Sequence, residues 1–280
     1  MKSQKYSRNM AKNAIKSLII SSSLIILISC SVNPTFSRKN IEETIERMCQ
    51  DEFNISITAF LQGETIWIYA PFNNLVNEDG TLNEKAQGKI RNIFLSLKRT
   101  VLSMDKPPKF FVFVASNIKN TGLDIYQIGF VPDIVRFELR AISQKEFQER
   151  RVFLPFKNPD ALGDLKGYHI TMYDITMGDF ITYLVLQKIT LTFYDKEINK
   201  YVNIRVINGN YARGKSTIIT DIEPLNKKVK IPNAFDTAKK AMVHYLKVYK
   251  EFSPKIYSIE IKDKYTGKGR FYSTKSLLGE

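Results

Sequence analysis

The feature that most constrains the fold is a long amphipathic pattern between residues 82 and 104. Apolar side chains recur there at spacings of three and four, as they do on one face of a helix. They are Leu82, Ala86, Ile90, Ile93, Phe94, Leu97, Val101 and Met104. Pro107-Pro108 ends the pattern, because a residue before proline disfavours helical backbone. The pattern predicts one helix that covers an apolar surface made by its neighbours.

Strand-like segments flank this helix on both sides. Residues 54–61 alternate apolar and polar side chains, and after the turn Gln62-Gly63-Glu64 a second segment covers residues 65–70. Residues 110–115 and 124–130 follow the helix, on either side of an Asn-Thr-Gly turn. The predicted order is therefore strand, strand, helix, strand, strand.

The C-terminal part repeats this order. Residues 202–208 and 217–222 are strand-like, and an amphipathic helix is predicted over residues 233–252. Residues 255–262 and 269–274 then form a second strand pair around a Tyr-Thr-Gly turn. The predicted element order thus occurs twice along the chain.

The junctions of the two parts also resemble each other. Pro108-Lys109-Phe110-Phe111 compares with Pro254-Lys255-Ile256-Tyr257, and Thr121-Gly122 compares with Thr266-Gly267. Each part begins with a predicted helix, over residues 38–51 and 177–189. We therefore predict an α+β fold of antiparallel sheets covered by helices. Two explanations of the recurrence stay open: two copies of an (α)ββαββ unit, or the chance recurrence of a common order.

Composition suggests how the chain is divided. Residues 36–156 form the first predicted α+β unit, which ends in a linking helix over residues 132–150. Residues 157–167, Lys-Asn-Pro-Asp-Ala-Leu-Gly-Asp-Leu-Lys-Gly, have the composition of a linker. Residues 168–280 form the second predicted unit, which is basic.

The N-terminus has the composition of a targeting segment. Residues 1–16 carry five Lys and Arg and no acid, and an apolar run follows over residues 18–29. Twelve helical residues span only about 18 Å, which is less than the bilayer core of about 30 Å. The run ends in Leu27-Ile28-Ser29-Cys30, which resembles the lipobox of bacterial lipoproteins.

This resemblance implies a processing route. Residues 1–29 would be removed as a signal peptide, the Cys30 thiol would carry a diacylglycerol, and residues 30–35 would be a short tether to the membrane. The chain would then be exported to the cell envelope, and Ser31 favours the outer membrane if the organism has two membranes. The alternatives are a plain signal peptide and an uncleaved anchor with an incidental cysteine.

The net charge of +14 is unevenly distributed. Residues 30–199 carry 20 Lys and Arg against 21 Asp and Glu, whereas residues 200–280 carry 17 against 7. An exported protein meets little nucleic acid, so we predict none as a partner. The basic part predicts an anionic partner instead: lipid headgroups, a cell-wall polymer or an acidic protein. The candidate lysines are Lys227, Lys228, Lys230, Lys239, Lys240, Lys247 and Lys250. The alternative is that these lysines only solvate helix and strand faces.

One segment matches a phosphate-binding pattern. Residues 209–216 fit GxxxxGK[ST] through Gly209, Gly214, Lys215 and Ser216. A phosphate-binding loop needs a helix to begin at the Lys-Ser pair, but the next four residues are β-branched and Pro224 follows. We interpret the match as chance, in a glycine-rich hairpin, and predict no nucleotide cofactor.

No other motif indicates catalysis or metal binding. His169 precedes Asp174 by five residues, so the two would lie on opposite faces of a strand, and no nucleophile motif accompanies them. His244 lies in a predicted helix without metal-ligand spacing, and Cys49 is predicted to be a core residue.

The sequence therefore predicts a membrane-anchored envelope lipoprotein of a non-enzymatic binding or assembly type. The alternative is an envelope hydrolase whose active-site residues are dispersed along the chain.

Overall fold

The structure, a computed structural model, describes residues 36–226, 229–252 and 254–279. The predicted signal peptide, Cys30 and the tether lie outside the described residues, as do Lys227 and Lys228.

The described part of the chain contains nine strands and eight α-helices. The strands are β1 (Thr58–Gln62), β2 (Thr65–Phe72), β3 (Phe110–Asn117), β4 (Leu123–Phe130), β5 (Val152–Lys157), β6 (Val202–Ala212), β7 (Lys215–Pro224), β8 (Ser258–Asp263) and β9 (Lys268–Ser273). The helices are α1 (Ile41–Phe53), α2 (Glu84–Leu102), α3 (Val131–Glu138), α4 (Gln144–Glu149), α5 (Met177–Phe193), α6 (Lys196–Asn199), α7 (Ala234–Val248) and α8 (Thr274–Leu278). Short 3₁₀ helices cover Arg38–Asn40, Pro159–Ala161 and Lys250–Phe252.

The strands form two mixed sheets, so the predicted α+β class is confirmed. The first sheet has the order β1-β2-β3-β4-β5 and the second has the order β6-β7-β8-β9. Neighbouring strands are antiparallel except β2 with β3 and β7 with β8, which are parallel. The prediction of antiparallel sheets is corrected at these two pairs. A helix joins the strands of each pair and returns the chain to the end from which it started, which a parallel pairing requires.

The two halves have the same topology. In each half a helix leads, an antiparallel hairpin follows, a crossover helix leads to a parallel strand, and a second hairpin ends the unit. The leading helices are α1 and α5, and the crossover helices are α2 and α7. The structure therefore contains two (α)ββαββ units that match in element order and in strand pairing.

The residues between β4 and α5 differ most from the prediction. A single linking helix was predicted over residues 132–150, whereas the structure has α3 and α4 separated by a turn in which Arg140 has a φ of 58°. Strand β5, which the sequence did not predict, then adds to the edge of the first sheet beside β4. Its apolar residues do not alternate with polar ones, and Pro155 lowers its strand propensity, so the periodicity gave no signal.

The layers alternate between helices and sheets. Strand β2 sends Ile66 and Ile68 to the core under α1 and α2, and Trp67 and Tyr69 to a second core on the other face. That second core contains α5 and α7, and the four-stranded sheet lies beyond them. Both faces of the first sheet are therefore covered.

Helix α5 lies between the two sheets. The Phe180 ring lies 5.5 Å from the Phe110 ring of the first sheet, measured between centroids. The Thr182 hydroxyl lies 2.9 Å from the Ser216 hydroxyl of the second sheet. Because α5 is buried on most sides, its buried positions are mainly apolar, and they include Phe180, Ile181, Leu184, Val185 and Ile189.

The segment predicted as a linker packs against the first sheet. Ala161 is fully buried, and the Gly163 amide donates to the Ile118 carbonyl at 2.8 Å. From Asp164 to Thr176 the chain has no regular structure and crosses the face of β2, where the Trp67 indole donates to the Tyr173 carbonyl at 3.0 Å. We call residues 158–176 the strap, and it positions the first candidate site.

Candidate functional site

His169 sits at the centre of a buried polar network. Its Nε2 lies 3.0 Å from Asp124 Oδ2 on β4, and its Nδ1 lies 2.6 Å from Asp164 Oδ2 on the strap. Each ring nitrogen of His169 thus faces a carboxylate oxygen within hydrogen-bond distance. Asp124 also accepts hydrogen bonds from the Ser116 hydroxyl and, at 3.3 Å, from the Asn158 amide.

This network is closed to solvent. The His169 side chain is 3% exposed and that of Asp124 is 1% exposed. The Ser116 hydroxyl bonds to the Asp124 carboxylate and not to the His169 imidazole. The series of nucleophile, base and orienting acid that makes a catalytic triad is therefore absent from this network. The arrangement fixes the strap to β4, which is a structural role.

Asp174, the acid that the sequence placed near His169, lies elsewhere. Its Oδ1 accepts hydrogen bonds from the Glu64 amide at 2.8 Å and from the Thr65 hydroxyl at 2.9 Å. The sequence therefore named the right histidine and the wrong carboxylate. Asp164 lay within five residues of His169, but Asp124 is brought there only by the pairing of β3 with β4.

The position of Asp164 predicts a pH dependence of stability. Burial by itself would raise the pKa of Asp164, but hydrogen bonds from the His169 ring and from the amides of Lys166, Gly167 and His169 lower that pKa from 3.8 to about 2. The folded state binds this proton less tightly than the unfolded chain does. The stabilisation is therefore present above about pH 4 and is lost as the pH falls towards 2, and it amounts to about 2 kcal/mol.

This effect is measured by comparing urea unfolding of the wild type and of Asp164→Asn between pH 2 and pH 6. We expect the difference in unfolding free energy to be largest above pH 4 and to shrink towards pH 2. Asp160→Asn, at an exposed position on the same segment, is the control and should show no such trend. A difference for Asp164→Asn that stays constant with pH would contradict the assignment.

The P-loop-like residues form a β-hairpin. Strand β6 ends at Ala212, Arg213 and Gly214 make the turn with φ values of 49° and 80°, and β7 begins at Lys215. No helix begins at Lys215 and Ser216. Lys215 lies 2.7 Å from Glu260, and Ser216 is buried against α5. Gly209 lies on β6 against β7, where an added Cβ would meet the Thr217 carbonyl oxygen.

The described candidate lysines lie on α7 or near its ends. Lys239 lies over the Tyr272 ring, with Nζ 5.4 Å from the centroid, whereas Lys240 lines a groove on another side of α7. Lys247 is exposed at the C-terminal end of α7, and Lys250 is exposed just after that helix. Lys230 is exposed before α7 begins. Of the described candidate lysines, Lys240 lines this groove.

A groove lies beside Lys240. It has a volume of about 720 Å³ and lies between α4, α5 and α7. Its apolar lining includes Leu191, Ala241 and Tyr245, and Leu191 is 63% exposed. A groove of this volume is in the range that accommodates small molecules or short peptide segments.

Three lysines line the groove without an acidic partner. Lys145, Lys188 and Lys240 come from α4, α5 and α7, and among the described residues no carboxylate lies within 4 Å of their ammonium groups. Arg150 is neutralised by Glu146 and by the buried Asp133, whose Oδ1 lies 2.9 Å from Arg150 Nη1. Glu149 and the exposed His244 complete the polar lining.

Of these groove residues, the sequence singled out Lys240 and His244. Gln187 and the exposed Lys188 follow the apolar run of residues 184–186, and this polar pair is a signal that could have located the exposed side of α5. Lys145 precedes β5 in a region where the predicted helix was wrong.

The remaining candidate residues are structural. Cys49 is buried in α1, and burial raises the pKa of its thiol, which disfavours a reactive thiolate. Among the described residues, no group of three His, Cys, Asp or Glu is arranged to hold a metal ion. No helix in the described part of the chain is both long enough and apolar enough to cross a bilayer.

Comparison with known proteins adds no relative: no family model, curated protein or solved structure matches this chain.

Proposed function

We propose that this chain is a membrane-anchored envelope lipoprotein of a binding or assembly type, and that its groove holds an anionic partner. The lipid anchor is inferred from Leu27-Ile28-Ser29-Cys30. The partner presents carboxylate or phosphate groups beside an apolar group, as an acidic protein segment or a substituted cell-wall polymer does.

The observation that carries this proposal is the pairing of three unneutralised lysines with an apolar floor. A lysine without a carboxylate neighbour interacts with solvent in the free protein and gains a charge-assisted hydrogen bond when an anion binds. The exposed Leu191 side chain provides apolar surface that is better covered than solvated. The two features lie in one cavity, so a single ligand can satisfy both.

A hydrolytic role is less consistent with the structure. The polar network of His169 is sealed, and it lies on the first sheet away from the groove lining. The groove itself has no Ser, Thr or Cys paired with a histidine among the described residues, since its hydroxyls on Ser143 and Thr237 have no bond to His244. Binding without chemistry accounts for both observations.

The groove is tested with Lys188→Gln combined with Lys240→Gln. We expect each lysine to contribute about tenfold, or about 1.4 kcal/mol, to the affinity for an acidic tryptophan-containing peptide or a phosphate-rich polymer. Titration calorimetry of the full-length protein in detergent, at several salt concentrations, measures this. The double variant should bind about a hundredfold more weakly than the wild type and with a smaller salt dependence.

The matched control is Lys230→Gln combined with Lys268→Gln, which removes the same charge from exposed positions outside the groove. The proposal is wrong if this control loses as much affinity as the groove variant, or if the groove variant binds like the wild type.

A further inference from the structure

The described chain begins at one end of the fold. The Phe36 amide donates to the Ser103 carbonyl at 3.2 Å, just after α2. Arg38 Nη2 donates to the Gly63 carbonyl at 2.7 Å, and its Nη1 lies 3.3 Å from the Lys106 carbonyl oxygen. Parallel strands β2 and β3 both begin here. We call this the entry end.

The corresponding end of the second half, where β7 and β8 begin, lies beside the entry end. Asp174, which binds the Glu64 amide at the start of β2, lies just before α5. The Tyr211 ring packs on Gly178 in the first turn of α5, and its hydroxyl donates to the Lys255 carbonyl at 2.8 Å. The Arg213-Gly214 turn therefore lies at the entry end.

Strands β8 and β9 extend the same end. The Tyr257 amide donates to the Gly214 carbonyl at 2.7 Å, and the Thr274 amide donates to the Tyr257 carbonyl at 3.0 Å. Helix α8 begins at Thr274. These contacts form a continuous series. It runs from Phe36, where the described chain begins, to the starts of β2 and β3 and then to the starts of β7 and β8.

Six exposed cations lie along this series of contacts. They are Lys39, Lys106, Lys109, Arg213, Lys255 and Lys275. Among the described residues no carboxylate lies within 4 Å of their charged groups, by contrast with the paired Arg38 and Lys215.

The acids of the entry end are mostly engaged: Asp133 is buried against Arg150, Glu251 pairs with Arg136 and Glu260 pairs with Lys215. Glu64 is paired with Arg38 at 3.1 Å, Asp174 accepts two hydrogen bonds, and Asp179 belongs to the capping box of α5. Asp105 is exposed, and its Oδ1 accepts a bond from the Lys106 amide. The entry end therefore presents a net positive surface.

The length of chain before Phe36 sets where this surface can lie. If Cys30 carries lipid, only residues 31–35 separate it from Phe36, and that stretch spans about 20 Å at most. This step rests on the proposed lipid anchor. The entry end would then be held within about two Debye lengths of the headgroups at physiological salt.

From the charge and the tether we infer that the entry end is the face that lies on the membrane, and that its ligand is the anionic headgroup surface. Lysine and arginine side chains near such a surface gain from its negative potential. Tyr257, which is 68% exposed there, has the ring and hydroxyl that suit a membrane interface. The groove, which is lined by the C-terminal half of α5, would remain available for a partner.

The test combines Lys106→Gln, Lys109→Gln, Arg213→Gln and Lys255→Gln in the full chain. Cosedimentation with vesicles of phosphatidylcholine containing 30% phosphatidylglycerol is compared with pure phosphatidylcholine, using the Cys30→Ser background so that no acyl chain contributes. At about fivefold per cation, the variant should partition at least a hundredfold more weakly than its parent into the anionic vesicles only. The difference should vanish in 1 M salt.

The matched control is Lys85→Gln, Lys119→Gln, Lys166→Gln and Lys264→Gln, which removes the same charge from exposed positions away from the entry end. Equal weakening in the control, or no weakening in the entry-end variant, would overturn the inference. Lys188 and Lys240 are unchanged in both variants, so a negative result here does not depend on whether the groove binds a partner. No lipid is attached in the Cys30→Ser background, so the result also does not depend on the lipid anchor.

Lysine acetylation of the lipidated protein provides a second readout. In anionic vesicles we expect Lys106, Lys109 and Lys255 to be modified several-fold more slowly than in pure phosphatidylcholine, while Lys166 and Lys264 react equally in both. Equal reactivity at the two sets would place another face on the membrane.

Discussion

Asp124→Ala is expected to lower the free energy of unfolding by about 3–5 kcal/mol, the range found when one partner of a buried ionic network is removed. The Asp124 carboxylate bonds to Ser116, Asn158 and His169, and all of these contacts are shielded from water. Without it, a ring N–H of His169 is left buried with no acceptor, and the strap loses its link to β4.

Urea unfolding followed by circular dichroism measures this change. Asp124→Asn keeps the shape and one acceptor, so its loss should be smaller than that of Asp124→Ala. Asp160→Ala, at an exposed position, is the control and should shift stability by less than about 0.5 kcal/mol. A loss below about 1 kcal/mol for Asp124→Ala would show that the network does not hold the strap.

A double-mutant cycle isolates the coupling between Asp124 and His169. Asp124→Ala combined with His169→Ala should destabilise the protein by less than the sum of the two single changes, because the second substitution removes the group that the first one left without a partner. Additive losses would mean that the two side chains stabilise the fold independently.

Cys30→Ser is expected to abolish lipid attachment and membrane retention. Two or three acyl chains hold a protein on a bilayer stably, whereas a serine hydroxyl at this position cannot form the thioether. Palmitate labelling of cells and fractionation of membranes measure the two effects, and both should fall to background.

Cys49→Ser is the matched control, because Cys49 is the other cysteine of the chain and is buried in α1. It should keep the palmitate label, although loss of a buried apolar thiol will lower stability somewhat. If Cys30→Ser still incorporates palmitate, the lipobox interpretation is wrong, and the first 29 residues would be a plain signal peptide or an uncleaved anchor.

Local periodicity was sufficient to predict most of the elements. Helices α2 and α7 and the strand pairs around them were predicted within a few residues, because each has one buried face and a clear stop signal such as Pro107-Pro108. The predictions failed where buried residues do not recur at a regular spacing along the chain. Strand β5 was missed because its apolar residues do not alternate, and the α3–α4 region was predicted as one helix although its chain turns at Arg140.

The sites were predictable only in part. His169, Lys240 and the hairpin at Arg213-Gly214 were singled out from local sequence, but the partners that give each its role come from distant segments. Asp124 reaches His169 through the pairing of β3 and β4, and Lys145 and Lys188 reach Lys240 through the packing of α4, α5 and α7.

By itself the sequence determined the α+β class, the repeated element order and the basic C-terminal part, since these depend on period and composition along the chain. Only the tertiary structure decided that the inner strands are parallel, that Lys240 joins Lys145 and Lys188 in one groove, and that the buried histidine has a structural role. The physical reason is that pairing and burial depend on contacts between residues far apart in sequence. Charge or spacing along the chain cannot show which cations are neutralised or which polar groups are removed from water.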